Sequence, residues 1–86
     1  MLRIVYFTAS WCAPCRVFGP TVDRVLSQFS DVDYQKVDVD SSRDISQRYS
    51  ISSVPTIVIE RNGSQIARKS GAMTASDLTK LIESYK

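Results

Sequence analysis

Between Arg3 and Thr8 the chain runs Ile4-Val5-Tyr6-Phe7, a β-branched and aromatic block bounded by Ala9 and Ser10. Such a block predicts a short buried strand. From Cys12 onward the period changes. Cys15, Phe18, Val22, Val25, Leu26 and Phe29 recur at intervals of three and four, the spacing of one helix face. They predict a helix of about five turns. Pro20 falls inside it, removes one backbone donor and crowds the preceding turn, so a kink is expected between Arg16 and Pro20.

Period two returns at Tyr34 to Val39, with Val37 and Val39 on one face and Lys36 and Asp38 on the other, as in a half-buried strand. Asp40 to Ser42 offer N-cap oxygens for a short helix from about Arg43 to Tyr49 that buries Ile45 and Tyr49. Ser50 to Pro55 reads as a loop. Thr56 to Glu60 contains Ile57-Val58-Ile59 without a polar break, which suits a central strand covered on both faces. Asn62-Gly63 is a two-residue hairpin signal, because both residues tolerate positive φ. Gln65 to Lys69 is then the returning edge strand, where Arg68 and Lys69 discourage further pairing. Gly71 ends it. Thr74 caps a last helix with Asp77 in capping-box position, and Leu78, Leu81, Ile82 and Tyr85 form its apolar stripe. The order β-α-β-α-β-β-α predicts an α/β fold, a mixed four-stranded sheet flanked by helices, built as one domain over residues 1–86.

Composition narrows the function. The 11 basic and 9 acidic residues give +2, and the basic ones are scattered, so nucleic acid is not an expected partner. No apolar run approaches the roughly 18 residues of a membrane helix, so no membrane partner is expected. The N-terminal residues lack the pattern of a secretory leader, and a cytoplasmic location is the expectation. Size and charge suggest a monomer. In a reducing compartment a cysteine pair stays largely reduced unless it is catalytic, which directs attention to Cys12 and Cys15.

Cysteines three apart at a helix start bring their β-carbons to roughly 5–6 Å, near disulfide distance. Cys12, at the helix N-terminus, sits where free N–H groups and the helix dipole favour a thiolate, which makes it the attacking nucleophile. Cys15, one turn inside on the apolar face, is the shielded resolving thiol. Pro14 stiffens the first turn, where its missing donor matters little. A structural pair is the bland alternative. A zinc site within the chain is excluded, because there is no His and no third Cys, and no cofactor is implied. A cluster bridging two copies is the remaining metal arrangement.

Trp11-Cys12-Ala13-Pro14-Cys15 resembles the active site of the thioredoxin family, with Ala13 where Gly is usual. The resemblance extends along nearly the whole chain: Pro20 matches the family's helix proline, Val54-Pro55-Thr56 its cis-proline segment, Asn62-Gly63 its hairpin, and Ser70-Gly71-Ala72 its small-residue loop. The chain begins at the strand before the motif and so resembles a minimal member. The resemblance implies reduction of protein disulfides, with a flavin-dependent thioredoxin reductase as electron donor and glutathione as the alternative. It also implies a cis Val54–Pro55 bond and a substrate groove bordered by Trp11, Ala13, Pro14, Val54, Pro55, Gly71 and Ala72, in which an extended segment pairs with the Val54 backbone. Trp11 is then expected to be exposed.

Two positions depart from the family. Tyr6 stands six residues before Cys12, where thioredoxins carry a buried Asp. A phenol is a poor proton acceptor at neutral pH, so Tyr6 reads as core packing. Lys36 matches the lysine that accompanies that Asp and, lacking it, is expected to face solvent. Asp38 and Asp40 read as strand-end and capping residues. Phe7-Thr8 has a glutaredoxin flavour, but Ser70-Gly71-Ala72-Met73 lacks that family's glutathione-binding pattern. A different class of reading is a redox-silent binding subunit in which the cysteines are incidental.

Overall fold

The computed structural model describes residues Met1–Lys86. Seven elements follow in the expected order: β1 (Leu2–Thr8), α1 (Ala13–Leu26), β2 (Val32–Asp38), α2 (Arg43–Arg48), β3 (Thr56–Arg61), β4 (Ser64–Ser70) and α3 (Ala75–Tyr85). The sheet order is β2-β1-β3-β4, with β1 parallel to β2 and antiparallel to β3, and β3 antiparallel to β4. The sheet is therefore mixed and four-stranded, with β1 and β3 inside and the polar β4 at an edge.

Alternation along β1 divides the core between two faces. Leu2, Ile4 and Tyr6 join Ile57 and Ile59 of β3 and meet Phe18, Val22, Val25 and Leu26 of α1 and Leu78 and Ile82 of α3. Val5 and Phe7 point the other way, with Val58 and Val37, toward Ile45 and Tyr49 at α2. The uninterrupted Ile57-Val58-Ile59 run follows from this, since β3 must supply both faces. At the hairpin, Asn62 and Gly63 have φ of 53° and 84°, the left-handed pair that closes a two-residue turn.

Several boundaries differ from expectation. Helix α1 spans 14 residues, about four turns rather than five, because the chain turns at Ser27. Phe29 still reaches the core from the turn beyond. Pro20 lies inside the helix, on its exposed side. Strand β2 begins at Val32, two residues early, since parallel pairing opposite Leu2 recruits it. Ser42 occupies the N-cap of α2 but its side chain caps nothing. The turn is held instead by Asp38, whose Oδ1 accepts from the N–H groups of Asp40 (2.9 Å) and Ser41 (3.2 Å). Thr74 does cap α3, accepting from the Asp77 N–H at 3.1 Å.

Candidate active site

The two parallel strands end side by side, Thr8 opposite Asp38, so the segments leaving them converge at one edge of the sheet. After Thr8 the chain turns through Ala9 to Trp11 and enters α1, with Cys12 as N-cap in extended conformation (φ −90°, ψ 109°). The Cys12 Sγ accepts the N–H of Cys15 at 3.2 Å, in the place where a Ser or Asp oxygen would sit in an ordinary cap. A negative charge on this sulfur is thereby stabilised by a backbone donor and by the helix dipole. Cys12 and Cys15 are joined by a disulfide with their Cα atoms 5.2 Å apart, within the range that needs no backbone rearrangement. Pro14 sits in the first helical turn, as expected.

Exposure alone does not separate the two sulfurs, since Cys12 is 5% and Cys15 3% exposed. Their surroundings do. Cys12 Sγ lies 3.8 Å from the carbonyl oxygen of Val54. Close by, Trp11, Val39, Ile51 and Val54 line a shallow depression of about 120 Å³. Cys15 instead borders a polar pocket of about 470 Å³, whose walls include Thr8, Arg16, Lys36, Asp38 and Ser42.

The Val54–Pro55 bond is cis. Gly71 donates its N–H to the Pro55 carbonyl at 2.8 Å, which ties the loop after β4 to this segment. Thr56 Oγ1 donates to the Ser53 carbonyl (2.8 Å) and lies 3.3 Å from Ser70 Oγ. With φ of +94°, Gly71 occupies a backbone region that residues with a Cβ rarely adopt. Ala13, Pro14, Gly71 and Ala72 are exposed, Val54 is half-buried and Pro55 is buried.

Trp11 is 65% exposed, in line with expectation, and is held by a 2.7 Å hydrogen bond from its indole Nε1 to Asp40 Oδ2. Sequence reasoning missed this role for Asp40. The signal was available: in a parallel pair, residues just beyond β2 lie beside residues just beyond β1. Tyr6 is fully buried, packs edge-on against Phe18 at 5.8 Å, and its hydroxyl has no partner. Core packing is thus its observed role. Lys36 is exposed, as expected, but it has a surface partner that the sequence did not reveal: its Nζ donates to Asp23 Oδ2 on α1 at 3.1 Å. Tyr34 donates to the other oxygen at 2.8 Å. Partial burial pushes the Asp23 carboxyl up, but these two donors and the Lys36 charge outweigh it and hold it below the usual carboxylate range. Burial, then the bond to Asp23, raises the Tyr34 phenol. No group of three or more metal-ligating side chains is present, and no helix is long and apolar enough to cross a membrane.

This arrangement performs thiol-disulfide exchange: two sulfurs at bonding distance, one at a helix N-terminus, beside a carbonyl and an apolar depression. Comparisons with known proteins agree. The thioredoxin family model matches residues 1–84. Thioredoxin-2 of Saccharomyces cerevisiae is 36% identical over 87% of this chain and 72% of its own length. Thioredoxin H2 of Arabidopsis thaliana is 39% identical over 83% of this chain, which spans about half (53%) of that relative. The X-ray structure of Fasciola hepatica thioredoxin superposes with a TM-score of 0.91 at 35% identity, covering 99% of this chain and 81% of that one. The chain belongs to the thioredoxin family, and its Cys12–Cys15 pair is that of a thiol-disulfide oxidoreductase.

Proposed function

We propose that Cys12 attacks disulfides of protein substrates, that Cys15 resolves the mixed disulfide, and that the chain does this as a single monomeric domain in the cytoplasm. The observation that carries the assignment of roles is the Cys12 sulfur in the N-cap position, accepting the Cys15 N–H at 3.2 Å. This sulfur has a preformed backbone donor for its thiolate, and no such donor is seen for Cys15. An extended substrate segment lies along Val54, adding backbone hydrogen bonds beside the Val54 carbonyl, as in strand addition. Trp11, Ala13, Pro14, Pro55, Gly71 and Ala72 border it. Their small or flat side chains tolerate many sequences, which suits a carrier with several partners.

Turnover requires a donor for the oxidised pair, and a flavin-dependent thioredoxin reductase fits this reading better than glutathione. The segment Ser70-Gly71-Ala72-Met73 lacks the paired glycines and following Asp that glutaredoxins use on glutathione. The test has two parts. Cys15→Ser should accumulate a stable mixed disulfide with a protein substrate, and Cys12→Ser should trap none. Reduction of a test protein disulfide should run with thioredoxin reductase and its nicotinamide donor. Turnover with glutathione alone would replace that part of the reading.

A further inference from the structure

The resolving thiol must lose a proton before it attacks, and its neighbourhood decides where that proton goes. Tyr6, in the core toward α1, has a buried hydroxyl that makes no hydrogen bond. The polar pocket has Cys15, not Cys12, as part of its wall. At about 470 Å³ it has room for on the order of ten waters at roughly 30 Å³ each.

The charged groups around this pocket are few. Arg16 comes from α1, and its Nε and Nη2 donate to the Ser10 carbonyl at 3.4 and 3.3 Å. Lys36 comes from β2 and is paired with Asp23 of α1. Asp40, beyond β2, is engaged by Trp11 and is not part of the wall. That leaves Asp38, the one carboxylate lining the pocket. Its Oδ1 holds the β2–α2 turn, while its Oδ2 has no partner within the chain.

We propose that Asp38, acting through water in this pocket, is the proton acceptor for Cys15 in the resolving step. The step balances as follows. The Cys15 Sγ forms a bond to Cys12 Sγ, the bond from Cys12 Sγ to the substrate sulfur breaks, and the electron pair leaves with the substrate thiolate. The Cys15 proton passes to pocket water and Asp38, then to solvent or to the departing thiolate. The dithiol is oxidised by the disulfide it reduces, and no other reactant is needed. Arg16 and Lys36 support the Cys15 thiolate electrostatically, and Asp38 opposes it by charge. The base role therefore has an opposite sign from a purely electrostatic one.

The proposal rests on the roles given to Cys12 and Cys15, and the experiment separates the two. Reduced protein is mixed with 4,4′-dithiodipyridine, which releases one chromophoric thiopyridone on attack by Cys12 and a second when Cys15 resolves. Loss of the first phase in Cys12→Ser supports the roles, and its survival there overturns them together with this proposal. Asp38→Asn keeps the Oδ1 acceptor of the turn and removes the base. It should leave the first phase within about twofold and slow the second about tenfold at neutral pH, in the lower range of general-base effects. The deficit should vanish at alkaline pH, where the thiolate forms unaided. Asp38→Glu, which keeps a carboxylate but shifts the turn, should restore most of the second-phase rate. An unchanged or faster second phase in Asp38→Asn, or equal slowing in both variants, overturns the proposal.

Discussion

The two faces of the sheet are built differently. Toward α1 and α3 the core is continuous and almost wholly apolar, with twelve buried residues from four elements and the turn after α1. Toward α2 the buried apolar cluster is only Val5, Phe7, Val37 and Val58, with Val39, Ile45, Tyr49, Ile51 and Val54 around them. Here the packing continues into polar contacts. Glu60 is only 8% exposed, and its Oε2 accepts from the Tyr49 hydroxyl at 2.5 Å. Its Oε1 lies 3.9 Å from Arg3 Nε, an ion-pair distance too long for a hydrogen bond. Arg3 also donates to Gln35. The thin face is the one that touches the chemistry: Val39 and Val54 pack against both the Phe7 cluster and the group formed by Ala9, Cys12 and Cys15. The α2 side thus adds contacts to the cysteines that the thick face, apart from α1 itself, does not.

Matched truncations test this division most severely. Leu78→Ala on the α3 side and Phe7→Ala on the α2 side each empty a fully buried position. Losses of about 2–5 and 3–5 kcal/mol are expected, measurable by urea unfolding. That is a large fraction of the roughly 5–15 kcal/mol of a typical domain. The second readout is the rate of disulfide exchange under conditions where each variant stays folded. Leu78→Ala should exchange at close to the parent rate, whereas Phe7→Ala should be slowed, because Phe7 leads directly into Thr8, Ala9 and the motif. Equal slowing would dissolve the distinction between the faces.

A smaller change sharpens it. Tyr49→Phe keeps the ring, which lies 5.2 Å from that of Phe7, and removes the donor to Glu60. Glu60 is then left buried with a distant Arg3 as its main partner. The expected loss is about 1–3 kcal/mol, the penalty of an unsatisfied buried acceptor. Burial, and after it the bond to Glu60, already raises the Tyr49 phenol, so this donor stays protonated across neutral pH. Replacing Glu60 by Gln in the same background should recover part of the loss, since an amide is less costly to leave buried than a carboxylate.

How much of this was legible in the sequence depended on whether a feature was local. Element order, the hairpin at Asn62-Gly63 and the Thr74 cap are set by neighbouring residues and were read correctly. The cysteine pair and its helix start were legible for the same reason. The early start of β2 at Val32, the pairing of Lys36 with Asp23 and the bond from Trp11 to Asp40 are all cross-element contacts. They depend on register, which alternation along a single strand does not provide. Asp38 is the clearest case. It reads as a polar strand-end residue until β2 is placed parallel to β1, when it becomes part of the pocket wall beside Cys15.

The smallest effect concerns Tyr6, which lies on the face packed by α1 and α3. Its hydroxyl is fully buried and unpaired, and a Cβ placed at Gly19 would sit 3.7 Å from it, an ordinary contact. An unpaired buried hydroxyl has lost its water without gaining a partner. Tyr6→Phe removes that deficit and leaves the edge-on ring contact with Phe18 in place. A gain of up to about 1 kcal/mol is expected, offset in part by the small void left behind, and about 4–8 °C in Tm per kcal/mol for a domain of this size. Exchange kinetics should be unchanged in both phases of the thiopyridone assay, since the proton of Cys15 leaves on the pocket side. A slower second phase in Tyr6→Phe would instead place the phenol in the chemistry and join that face to the site.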